Sequence, residues 1–114
     1  MKYAILIYSN EAAGRFDDLS EPEQQALMGE YFALGQLPAT VGGEQLQPGA
    51  TATTVRVENG SVLTTDGPYA ETKELLGGFY LIDVGDLDAA LDFAAKVPAA
   101  RMGGLVEVRP VVER

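Results

Sequence analysis

Thr65-Asp66-Gly67-Pro68-Tyr69-Ala70-Glu71-Thr72-Lys73-Glu74, closed by Leu75-Leu76-Gly77-Gly78, is the stretch on which the fold turns. It crowds an acid, a forced bend and alternating charges between two apolar, strand-like runs. Pro68 fixes its own φ, lacks an N–H and pushes the residue before it into an extended shape, and Gly67 is the residue best able to accept that. Gly67 and Tyr69–Ala70 then supply the nearest backbone donors to the Asp66 carboxylate, as in an Asx-turn or a helix N-cap. Ala70 to Glu74 has the composition of one helical turn, which Gly77-Gly78 stops. Two readings stay open: a capped turn joining two strands, or a carboxylate held at the mouth of a cleft.

Upstream, Thr53-Thr54-Val55-Arg56-Val57-Glu58 and Ser61-Val62-Leu63-Thr64-Thr65 flank Asn59-Gly60, the strongest short hairpin signal. Thr53, Val55 and Val57 share one face, and Thr54, Arg56 and Glu58 the other. Downstream, Gly78 to Val84 alternates as a strand. Asp86 then caps a helix with Leu87, Ala90, Leu91, Ala94 and Ala95 on its apolar stripe, leaving Phe93 off it. Pro98 stops that helix, and Met102-Gly103-Gly104 turns into a last strand, Leu105 to Val112. There Glu107 and Arg109 form a charged pair, read either as a cleft wall or as a rim ion pair.

At the start, residues 2–8 make a strand with Tyr3, Ile5 and Ile7 on one side and Ala4, Leu6 and Tyr8 on the other. Apolar residues on both sides call for cover on both faces, and only two helices are available. A second copy of the sheet is the simplest cover for the other face, so a homodimer is expected. Ser9 to Leu19 is a polar connection from which Tyr8, Ser9 or Arg15 could reach a cleft. Ser20-Glu21-Pro22-Glu23 carries a capping box and opens a helix with Leu27, Tyr31 and Leu34 inward and Met28 and Phe32 beside them. Gly42 to Gly49 mixes turn residues with a short extended piece, whose glycines either admit a ligand or merely allow a bend. The order β-α-β(hairpin)-β-α-β is a ferredoxin-like α+β arrangement with an extra hairpin.

Composition narrows the chemistry. Residues 1–114 are the size of one domain. Eight Lys and Arg against 17 Asp and Glu give a net charge of −9, which repels nucleic acid. No apolar run approaches a membrane span, and no leader-like segment precedes Tyr3, so a cytoplasmic location away from membranes is expected. With no Cys and no His, thiolate nucleophiles, Cys/His zinc sites and triads are excluded within the chain. No metal or cofactor is expected. Any general acid or base must be a carboxylate, Tyr, Lys or Arg.

The run Val62-Leu63-Thr64-Thr65-Asp66-Gly67-Pro68-Tyr69-Ala70-Glu71-Thr72-Lys73-Glu74-Leu75-Leu76-Gly77-Gly78-Phe79-Tyr80 resembles the signature of the DGPF group of YCII-related proteins, with Tyr69 in place of Phe. Gly42-Gly43-Glu44-Gln45-Leu46, Ala52-Thr53-Thr54, Pro98-Ala99-Ala100-Arg101 and Val106-Glu107-Val108-Arg109-Pro110 extend the likeness over nearly the whole chain. The resemblance implies a dimeric α/β barrel, a probable enzyme of unassigned reaction and, from some relatives, a sigma-factor setting. A His–Asp pair suggested for the broader family is impossible here for want of His. Two functions are therefore carried forward. One is a small-molecule enzyme or binding protein with Asp66 as base or anchor. Its ligand-binding candidates are Tyr8, Arg56, Glu71, Lys73, Tyr80, Arg101 and Arg109. The other is a non-catalytic regulatory or interaction module linked to transcription.

Overall fold

The computed structural model describes residues 1–10, 16–69 and 74–114. Its elements are β1 (Lys2–Ser9), α1 (Glu21–Gly35), β2 (Thr40–Gln45), β3 (Thr53–Glu58), β4 (Ser61–Asp66), β5 (Leu75–Asp83), α2 (Leu87–Ala95) and β6 (Leu105–Pro110). One four-stranded antiparallel sheet has the order β2-β5-β1-β6, and among the described residues β3 pairs only with β4. Setting the hairpin aside, this is the ferredoxin-like order expected from the sequence. The hairpin is a separate two-stranded unit inserted between the two strands of one edge.

The local devices form as read. Ser20 Oγ accepts from the Glu23 amide at 3.3 Å, and Glu23 Oε1 accepts from the Ser20 amide at 3.2 Å, closing the capping box at the head of α1. That contact also lowers the Glu23 pKa, chiefly through the Ser20 side chain. Asp86 Oδ1 accepts from Ala89 N at 2.9 Å and starts α2. Asn59 and Gly60 both take positive φ, 50° and 80°, as a two-residue hairpin turn of the favoured twist requires.

The core lies between one sheet face and the helices. Tyr3, Ile5 and Ile7 of β1 and Ile82 of β5 meet Leu34 of α1, Ala90 and Phe93 of α2, and Val97 and Ala99 beyond it. On α2 the sequence stripe is corrected: Leu87 and Leu91 are exposed, whereas Phe93 is only 5% exposed. The reason is size. The Phe93 ring meets the Tyr80 ring edge-on, with centroids 5.5 Å apart, filling space that alanines leave empty. Of the rest of the stripe, Ala95 is exposed too, and Ala90 and Ala94 are buried, small enough to let the helix approach the sheet.

Among the described residues, no helix covers the opposite sheet face. Cross-strand partners share a face, so Ala4, Leu6 and Tyr8 of β1 stand with Phe79 and Leu81 of β5 and with Leu105, Glu107 and Arg109 of β6. Most of these apolar groups are half-buried by their neighbours alone. Gly42 to Gly49, read as turn residues with a short extended piece, begins inside a true edge strand, Thr40–Gln45. Its pairing shifts between Thr40 and Gly42, leaving Val41 as a bulged, exposed residue.

Candidate functional site

A wide cleft of about 1030 Å³ opens between α1 and one end of the sheet. Its floor is Ile7 of β1 with Gly78 and Tyr80 of β5. One wall is Leu27, Met28, Tyr31 and Phe32 of α1, and Ala99 and Met102 close the far side. Ser9, Asn10, Asp17, Glu44 and Gln45 supply its polar groups. An apolar pocket with a few convergent polar groups is the usual form of a small-molecule site.

Helical spacing explains the wall. The expected inward residues Leu27 and Leu34 are buried and Tyr31 half-buried, so Met28 and Phe32, one position on, face outward over the cleft. Gly43 shapes the rim. It sits at φ +146°, and a Cβ there would stand 2.5 Å from the Phe79 carbonyl oxygen, so only glycine lets β2 lie this close to β5. Here the bend, and not the admission of a ligand, accounts for the glycine.

Tyr80 joins wall to floor: its hydroxyl donates to the Tyr31 carbonyl at 2.7 Å. Burial, with Tyr31 adding to it, pushes the Tyr80 hydroxyl up to about 12. Burial also raises Tyr31, partly offset by a hydrogen bond from the Ala99 backbone and by the Arg101 charge. Both phenols therefore stay protonated at neutral pH and act as donors, not bases. Among the described residues lining the cleft, the ionised groups are the acids Asp17 and Glu44, with no Lys or Arg beside them. Those two carboxylates suit a neutral or cationic group at their edge of the cleft.

The residues singled out from the sequence fall in several places. Asp66 and Arg56 border a smaller groove of about 290 Å³ on the hairpin, with Thr54, Leu63, Thr65, Pro68 and Tyr69. There the Arg56 guanidinium lies 5.1 Å from the Tyr69 ring centroid. The Gly67 amide donates to Ala52 O at 2.7 Å, and no hydrogen bond or ion pair reaches the Asp66 carboxylate among the described residues. The cap reading thus loses its first donor to the hairpin's base. Gly67 itself takes φ +94°, a conformation that suits glycine.

Among the described candidates, Tyr80 and Ser9 line the main cleft. Tyr8 stands on the open sheet face, opposite Leu105. Arg109 is on that face too, bound to Glu107 at 2.7 Å. Arg101 lies on the turn Pro98–Arg101 and pairs with Glu30 of α1. Neither arginine lines the cleft, and each already has a carboxylate. Glu71, Lys73 and Arg15 lie outside the described residues. Sequence reasoning passed over Phe16, Met28, Phe32, Gln45 and Met102. Only Met28 and Phe32 carried a signal, as an i, i+4 apolar pair beside the core stripe.

Comparison with known proteins agrees with the architecture. The model of the YCII-related domain matches residues 1–114. A protein of Rhizobium meliloti (strain 1021), described as uncharacterised, is 39% identical over 117 residues, covering 97% of this chain and 92% of its own length. No helix among the described residues is long and apolar enough to cross a membrane. On the match over its whole length, this chain belongs to the YCII-related family.

Proposed function

We propose that the chain binds a small, largely apolar molecule, neutral or cationic, in the cleft between α1 and the sheet. The observation that carries this reading is the cleft itself, about 1030 Å³ walled by Leu27, Met28, Tyr31, Phe32 and Tyr80 with acids at its edge. If the bound molecule is transformed, proton transfer falls to a carboxylate, because the chain has no His or Cys and its cleft tyrosines are held protonated. Glu44 and Asp17 are the carboxylates in reach of a guest there. Asp66 and Arg56, with the hairpin groove, would serve a second position or a partner's cleft. We also place the chain in the DGPF-type subgroup and expect a homodimer through the open sheet face. Half-buried Leu6, Phe79 and Leu81 support that expectation.

The test is a thermal-shift screen of neutral and cationic metabolites against the wild type and Phe32→Asp. A ligand at about 100 times its dissociation constant adds ~2.7 kcal/mol, or roughly 10 °C for a chain this size. The expected result is such a shift in the wild type and its loss in Phe32→Asp. A ligand that stabilises both equally binds elsewhere, and a screen answered only by anions overturns the charge reading.

A further inference from the structure

The β3–β4 hairpin is built as an arm. Among the described residues its strands hydrogen-bond only to each other and at their own base, where Gly67 donates to Ala52 and Thr54 Oγ1 to Gly67. The chain is flat, 45 × 43 × 19 Å, with a radius of gyration of 15.9 Å against about 13 Å for a compact chain of this length. A two-stranded hairpin left alone in water is marginal at best, so this one calls for a surface to lie on.

Its two faces differ. On one, Arg56 stacks on the chain's own Tyr69 and stands across from Leu63. On the other, Val55, Val57 and Val62 are bare, at 59%, 67% and 66% exposure, with only Thr53 and Thr64 between them and the base. That valine face carries no charge short of Asp66. In a chain of net charge −9, uncharged surface lets copies approach with the least repulsion.

The area needed by a stable pair decides the occupant. Four strands at about 4.8 Å spacing, about 27 Å long in β1, about 30 Å in β5 and about 20 Å in β2 and β6, give the open sheet face a footprint of roughly 470 Å² per copy. Two such faces bury about 930 Å², short of the roughly 1,200–2,000 Å² of a stable interface. The valine face of one arm covers about 200 Å² and hides as much on whatever it meets. Two arms related by a two-fold axis would therefore bring the total to about 1,700 Å², within the standard size.

We propose that the β3–β4 hairpin is a dimerisation arm whose valine face closes over a second copy of this chain, beside the sheet-to-sheet contact. The inference rests on the sheet-face dimer proposed above, and the two stand or fall separately in the following experiment. Sedimentation equilibrium compares the wild type, Val57→Glu with Val62→Glu, and Leu6→Glu on the open sheet face, with circular dichroism checking the fold. The expected result is a dimeric wild type and an arm variant whose dissociation constant rises about 100-fold with unchanged circular dichroism. A dissociation constant within about threefold of wild type for the arm variant, while Leu6→Glu dissociates, overturns the arm and leaves the sheet-face dimer standing. A monomeric wild type overturns both. Because the chain has no cysteine, Val62→Cys carries a spin label at one site only, which keeps the question open to measurement if the glutamates disturb the hairpin. A label immobilised as the dimer forms supports the arm, and a label equally mobile in monomer and dimer refutes it.

Discussion

Tyr80→Phe separates the two jobs of the phenol that joins α1 to the sheet. The substitution removes one part-buried hydrogen bond, the 2.7 Å contact to Tyr31 O, and nothing else of the ring's packing against Phe93. Tyr31 O lies within α1 and keeps its intrahelical donor, so the cost is that of a bond lost and not of a carbonyl left bare, about 1 kcal/mol. With an unfolding entropy of about 2.1 cal/mol/K per residue, this chain should lose roughly 4 °C at neutral pH. Alkaline conditions reverse the trend. In the wild type the folded-state pKa is raised to about 12, so between pH 10 and 12 the unfolded chain has released a proton that the native chain still holds. That component of stability is complete below about pH 10 and is lost as the pH climbs to 12. Phenylalanine has no proton to lose, so the deficit of the variant should shrink steadily, be gone by about pH 10.7 and reverse above it. Thermal melts of both proteins from pH 7 upward read this directly. A variant that melts with the wild type at pH 7, or a gap that stays constant into alkali, would refute the reasoning.

Asp66→Asn should leave the midpoint within about 2 °C of wild type, because no described donor meets the carboxylate; a fall of 4 °C or more in a thermal melt would restore the cap. Ser20→Ala should lower the midpoint by roughly 4 °C through loss of the capping box, read by circular dichroism as melting of a helix that starts later. Gly104→Ala should be the most damaging small change, since its Cβ would sit against the Tyr8 carbonyl oxygen and 3.2 Å from that of Ala99; a denaturant midpoint unchanged from wild type would contradict this.

The parts of the fold legible in the sequence are those with local causes. The capping box at Ser20, the Asp86 cap and the Asn59-Gly60 turn each depend on a few adjacent residues, and each formed where its residues stand. Alternation in β1 likewise sorted Tyr3, Ile5 and Ile7 from Ala4, Leu6 and Tyr8. What required the third dimension was choice among apolar residues. Phe93 and Leu91 are both good helix-face candidates, and only the space beside Tyr80 selects the aromatic. The site was less legible for the same reason. Charged residues such as Arg101 and Arg109 attract attention in a sequence, yet their charges are spent on Glu30 and Glu107. The cleft is made by ordinary residues, Met28, Phe32 and Gln45, that become a surface only when α1 is set against the sheet.

The bulge at Val41 bears on how such a chain stays clear of its own kind in the wrong geometry. An edge strand is a template that any extended peptide can copy, and runaway copying ends in fibres. In β2 the template is interrupted at Val41 and weakened by Gly42-Gly43, while β6, on the far edge, ends at Pro110, which has no amide to offer. Lateral growth of the sheet is thus discouraged at both margins. Encounters between chains are thereby turned from the rims, where pairing has no natural end.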